Sequence, residues 1–144
     1  MVDCWTQWIL DPLMQRLSWL LSCIPNDGTK SQLSPLHRLI KISKGRTYYC
    51  YDLSSATDRL PVILQQRLLE PVIGVKLAGL WRSLLVDRAY IAKNEEYGID
   101  TTVKYCVGQP MGAKSSFHMM GLLHHALVQW AAYRAGLVSI VSHK

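Results

Sequence analysis

Two stretches decide the reading of this chain: YDLSSATDRLP at Tyr51 to Pro61 and GQPMGAKSSFHMMGLLHH at Gly108 to His125. The first sets Asp52 and Asp58 six residues apart, with small hydroxyl residues between them, at the end of the apolar-aromatic run Thr47 to Leu53. That run is rich in β-formers and reads as a central strand covered on both faces. A strand ending in Asp presents its carboxylate at the strand's C-terminal edge, and Asp58 then points back into the same cleft from the following turn. Alone, Asp58 reads as a helix cap or first-turn acid. In the second stretch Gly108, Pro110 and Gly112 flank a loop that enters a long helix at Ser115-Ser116. Backbone amides and serine hydroxyls at such a helix start suit phosphate or ribose, and Lys114 adds a cation. Taken singly, that segment is a turn followed by a serine cap.

Outward from these stretches, helical spacing runs from Cys4 to Ser22, with Pro12 expected to break or kink it. CIPNDGT at Cys23 to Thr29 is turn chemistry. Ser34-Pro35 opens a short helix to about Ser43, ended by Gly45. A helix follows Thr57 or Asp58 to Leu69, and a second apolar helix spans Val72 to Val86. Arg88 to Ala92 and Thr102 to Val107 read as strands of a hairpin across Lys93 to Asp100. Ser115 to Ala135 forms the last helix, with Gly136 at C′, and LVSIVSHK reads as a short edge strand. The expected class is α+β, with helices packed on a small, mainly antiparallel sheet.

The 144 residues make one domain or part of one, 49% hydrophobic and 18% charged, which argues against disorder. The net charge of +6 is unevenly placed: Lys30 to Arg46 and Thr101 to Lys144 contain no acid. Such asymmetry suits a polyanion, with a solvated basic surface as the plain alternative. Cys4, Cys23, Cys50 and Cys106 have no CxxC spacing and are expected as buried reduced thiols. No apolar run is long enough to span a bilayer. The N-terminal stretch carries Asp3 and Asp11 and has neither transit-peptide nor secretory character. His118, His124 and His125 read as structural or solvent-facing residues, and Met111, Met119 and Met120 as core packing.

In this order the two stretches resemble motifs A and B of a viral RNA-directed RNA polymerase palm, and most closely those of the mitoviruses. WTQW at Trp5 to Trp8, IPNDGT at Ile24 to Thr29 and VGQPMGA at Val107 to Ala113 extend the likeness over Val2 to Gly136. The resemblance implies a partial fingers-palm fragment of a right-hand polymerase: a helical fingers-like segment over 1–46 and a partial palm over 47–144. It implies that Asp52 is the motif A metal ligand for Mg2+ and that Asp58 helps select the ribonucleotide sugar. It implies that Gly108, Gln109, Gly112, Lys114, Ser115 and Ser116 contact RNA or substrate. Lys114 and Phe117 depart from the residues common in the family at those places.

Two-metal nucleotidyl transfer requires further carboxylates and triphosphate-gripping cations. No carboxylate follows Asp100, where the resemblance calls for the G-D-D of motif C, and the basic segment that precedes WTQW in the family is absent. The expectation is therefore a remnant with vestigial Asp52 and Asp58, inactive alone and holding no metal tightly. By resemblance it is of the kind found in plant mitochondrial genomes, hence mitochondrial and organelle-encoded. The alternatives are a basic RNA-binding module, through Lys30, Arg38, Lys41, Lys44, Arg46 and Lys114, or one part of a split polymerase completed by a partner. Self-association is expected of a palm fragment with an unpaired sheet edge.

Overall fold

The computed structural model describes residues 2–138. Six helices and one hairpin follow in order: α1 (Cys4–Ser22), α2 (Leu33–Ile42), α3 (Ala56–Arg59), α4 (Val62–Ile73), α5 (Val75–Val86), β1 (Tyr90–Asn94), β2 (Ile99–Val103) and α6 (Ser116–Arg134). The α+β class holds. The helices, however, pack on one another, α4 on α5 and α6 on α1, α3 and α4, while the hairpin pairs chiefly with itself.

Helix α1 begins where Asp3 accepts hydrogen bonds from the Thr6 amide at 2.9 Å and the Thr6 hydroxyl at 2.7 Å. The Arg88 guanidinium donates to Asp3 at 2.9 Å and to the Thr6 hydroxyl at 3.1 Å, tying the start of α1 to the chain entering β1. Helix α1 runs unbroken through Pro12. The lost hydrogen bond is offset by burial of Leu10, Leu17 and Leu21 along one side of the helix.

The core joins Leu10 and Leu17 of α1, Val62 and Leu69 of α4, Ala78, Trp81 and Leu85 of α5, and Met119 of α6. The first helix thus shares its core with the helices that follow Tyr51. Helix α2 contributes no buried residue, although its apolar and basic residues are sorted onto opposite sides.

Three expectations are corrected. The run Thr47 to Leu53 is not a strand: its backbone is irregular and Tyr51 is 90% exposed. A strand is held by its neighbours, and among the described residues none lies beside this run to convert its propensity into a ladder. The helix expected after Thr57 or Asp58 to about Leu69 is two helices, α3 and α4. Pro61 forces Leu60 into an extended conformation (ψ 121°), and the Val62 amide there donates to the Val107 carbonyl at 2.9 Å. All four cysteines are free but exposed, lying at the ends of α1 and in irregular segments.

Smaller differences have local causes. Gly74, at φ 85°, separates α4 from α5, so the second apolar helix begins at Val75. The hairpin pairs Tyr90 with Val103 and Asn94 with Ile99, a tighter turn than expected, closed by Gly98 at φ 62°. Met119 is fully buried as expected, whereas Met111 is 75% exposed at a loop tip. Gly136 stands at C′ of α6, where its amide and that of Leu137 close the helix. The expected edge strand falls, beyond its first two residues, outside the described residues.

The element that positions the site is the docking of Val107 to Gln109 onto α3. The Gln109 amide donates to the Thr57 carbonyl at 2.9 Å. Between that bond and the Val62–Val107 bond lies Gly108, where a β-carbon would overlap the carbonyl groups of Thr57 and Asp58. Rigid backbone occupies that space, so Gly108→Ala is expected to lower stability by about 3 kcal/mol, read as a fall in the urea midpoint at unchanged slope. Acid exposes the second anchor. Thr6, and then Arg88, hold the Asp3 carboxyl well below the usual carboxylate range. A depressed folded-state value means this stabilisation is complete above pH ~4 and lost as pH falls. Asp3→Ala is expected to lower the thermal midpoint at pH 7 and to flatten its decline below pH ~4.

Candidate functional site

The loop of the second diagnostic stretch is built from inside. The Gln109 side chain is fully buried, and its amide donates to Gln65 Oε1 at 2.5 Å and to the Ser116 carbonyl at 3.2 Å. Its own oxygen has no partner among the described residues. The Ser115 hydroxyl accepts from the Trp81 indole at 2.9 Å, and the Ser116 hydroxyl donates to the Ala113 carbonyl at 2.8 Å. Gln109, Ser115 and Ser116 therefore sit in the interior, bound to protein groups, and Gly108 is buried beside them. Gly112 (φ 91°) and Lys114 remain at the surface.

Asp52 and Asp58 face neighbouring hollows. A cleft of about 600 Å3 is lined by Asp27, Thr29, Asp52, Phe117, His124 and His125. A second, of about 480 Å3, is lined by Thr57, Asp58, Met111, Gly112 and Ser116. Ala56, Phe117 and Met120 border both and form the ridge between them. The Asp58 charge lies close enough to Tyr105 to add to the effect of burial in raising the Tyr105 phenol above its ordinary value.

The first cleft contains a pair that sequence reasoning missed. The Asp27 side chain is only 5% exposed and binds His125 Nε2 at 2.9 Å. It also accepts from the Thr29 amide at 2.9 Å and from the Thr29 hydroxyl. Burial raises its pKa, yet the bonds from Thr29 and His125 outweigh burial and hold the carboxyl below its ordinary value. The IPNDGT turn is thereby fastened to α6. His125 acts as a structural residue, while His124 faces solvent. His118 is half-buried, edge-on to Phe117, and its Nδ1 has no partner among the described residues. The spacing of these residues along the chain carries no signal for the Asp27–His125 pair.

Two more missed residues come from α1. Gln7 donates to the Gly112 carbonyl at 2.7 Å and accepts from the Lys114 amide at 2.8 Å, and Asp11 is ion-paired with the Lys114 ammonium. Gln65 and Trp81, which carry the buried polar bonds, were also unmarked by any motif.

The donor set bears on Mg2+. Magnesium takes one or two carboxylates together with water and substrate oxygens. Asp52 is an exposed single carboxylate, and both oxygens of Asp27 are already engaged by Thr29 and His125. Among the described residues no three Asp, Glu, His or Cys side chains converge to hold a metal. The residues present therefore do not fit a two-metal centre.

Charge is better provided. Lys30, Arg38, Lys41, Lys44 and Arg46 are all exposed, and none has an ion-pair partner among the described residues. Tyr48, Tyr49 and Tyr51 follow them; Tyr49 and Tyr51 lie largely in solvent, and Tyr48 is about half exposed. No described helix is long and apolar enough to cross a membrane.

Comparison with known proteins agrees with the family resemblance read from the sequence. The RNA-directed RNA polymerase of Cryphonectria parasitica mitovirus 1 is 40% identical over 139 residues, covering 95% of this chain and 16% of the viral protein. Two uncharacterised mitochondrial proteins of Arabidopsis thaliana are 37% and 31% identical, covering 81% and 76% of this chain and 46% and 53% of their own lengths. The chain thus spans a sixth to a half of these relatives. No solved structure matches it. The profile of the mitovirus RNA-dependent RNA polymerase family matches residues 1–142, and the chain belongs to that family.

Proposed function

We propose that this chain is a fingers-palm remnant of a mitovirus-type RNA-directed RNA polymerase that binds RNA and does not transfer nucleotides by itself. The observation that carries this reading is the donor set. Motif A contributes one exposed carboxylate, Asp52, to a cleft whose other carboxylate, Asp27, is already bound to Thr29 and His125. Asp52 is the inherited metal ligand and Asp58 the inherited ribose-sensing acid. The loop from Gly108 to Ser116 is the inherited template and ribose loop. Residues 1–46 correspond to fingers and 47–144 to palm. The mitochondrial relatives in Arabidopsis support a mitochondrial location.

RNA binding is supported by the five free cations from Lys30 to Arg46 and the tyrosines beside them, since phosphate charge provides affinity and aromatic faces stack on unpaired bases. Lys114 is not part of this free set, because Asp11 neutralises it.

A second reading, completion by another polypeptide, is favoured by an apolar groove of about 730 Å3. It lies between α1 and the α4–α5 pair, lined by Ile9, Leu13, Ile73, Leu77 and Leu80.

The purified chain is expected to incorporate no nucleotide on primed RNA with Mg2+ or Mn2+; templated extension would overturn the reading. Single-stranded RNA is expected to bind with a log–log salt slope of about −3.5 for the five cations. Replacing Arg38 and Lys41 by Ala is expected to make that slope shallower by about 1.4. A flat salt response would discard RNA binding. Restored synthesis upon mixing with the remaining segments of the viral relative would favour the split polymerase.

A further inference from the structure

The Gly108–Lys114 loop is anchored at Gly108 to Pro110 and again at Ala113, all buried, leaving Met111 and Gly112 at an exposed tip. Nothing lies within 4 Å of the position a Gly112 β-carbon would take, so packing does not hold Gly112. What holds it is a side chain from α1. The Gln7 primary amide donates to the Gly112 carbonyl at 2.7 Å and accepts from the Lys114 amide at 2.8 Å. One side chain thus satisfies two backbone groups two residues apart, as a neighbouring peptide unit would in a ladder.

Asp11 follows Gln7 by four residues and lies on the same face of α1. Its carboxylate takes the Lys114 ammonium and also accepts from Gln15 at 2.7 Å. Those contacts, with Lys114 first, hold the Asp11 carboxyl below its ordinary range. Lys114 is 44% exposed and Asp11 26%. A pair this open to water contributes little to stability and can be displaced by a competing anion.

We propose that Gln7 and Asp11 are the positioning residues of the Gly108–Lys114 loop. Gln7 braces its backbone, and Asp11 latches the Lys114 ammonium against α1, where a phosphate must compete for it. Bracing stands on the loop geometry alone. The latch rests on the RNA-binding reading above.

Amide hydrogen exchange tests the brace without RNA. In Gln7→Ala, exchange of the Lys114 amide is expected to be at least ~10-fold faster than in the unaltered chain, with the core amides of α5 unchanged. Equal Lys114 rates in the two proteins would overturn the brace. Should Gln7→Ala fail to fold, Gln7→Glu keeps the acceptor for Lys114 and loses only the donor. Lys114 protection should then persist, and its loss would count against the assignment.

Oligouridylate binding tests the latch. Asp11→Asn is expected to bind about threefold more tightly, with a salt slope steeper by about 0.7. Asp87→Asn adds the same charge outside the Asp11–Lys114 pair, beside Arg82, and is expected to give a smaller gain. Lys114→Ala should abolish the gain of Asp11→Asn, as a coupled pair requires. If the unaltered chain binds oligouridylate and Asp11→Asn binds no better, the latch is wrong. If the unaltered chain binds no oligouridylate in low salt, the RNA reading and the latch built on it fail together, and Lys114 exchange still decides the brace.

Discussion

The absence of a side chain at Gly108 governs how this chain holds itself together. Two segments about fifty residues apart in sequence meet there backbone to backbone, with the Gln109 amide on the Thr57 carbonyl and the Val62 amide on the Val107 carbonyl. This contact settles several features at once. It ends α3 and starts α4 at Val62, directs Gln109 inward onto Gln65, and sets the direction in which the loop turns into α6. The two diagnostic stretches are thus physically one unit.

That unit is wrapped in polar bonds from helices that carry no recognisable chemistry of their own. Trp81 of α5 donates to Ser115, Gln65 of α4 accepts from Gln109, and Gln7 of α1 spans Gly112 and Lys114. Buried polar groups cost free energy unless paired, so each bond removes a penalty as well as adding an attraction. The inward serines and glutamine hold the loop's shape, and its solvent-facing chemistry is left to Gly112, Lys114 and the exposed tip.

Legibility varied with the range of the forces involved. Helices α1, α2 and α6 were readable because the helical spacing of α1, the Ser34-Pro35 start and Gly136 act locally, whereas the second apolar helix was read through Gly74, which in fact separates α4 from α5. The Thr47 to Leu53 run misled because an apolar, β-rich segment is a strand only when another strand pairs with it. The break at Pro61 was written in the proline, yet the Val62 bond to Val107 that stabilises it was not. The Asp27–His125 pair was illegible for the same reason: 98 residues separate its members. Gly108 is the instructive intermediate. Its identity marked a loop, while the reason no other residue fits became visible only when Thr57 and Asp58 were seen against it.

The sequence by itself determined the family, the helical segments, the basic stretch from Lys30 to Arg46 and the shortage of carboxylates after Asp100, because order, composition and local periodicity carry these. Only the tertiary structure decided which polar residues face inward, that Asp52 and Asp58 border separate hollows, and that Lys114 is neutralised by Asp11. Those outcomes depend on backbone approach and charge pairing between segments up to about a hundred residues apart. Distances of that kind are set by packing, which no local pattern of residues encodes.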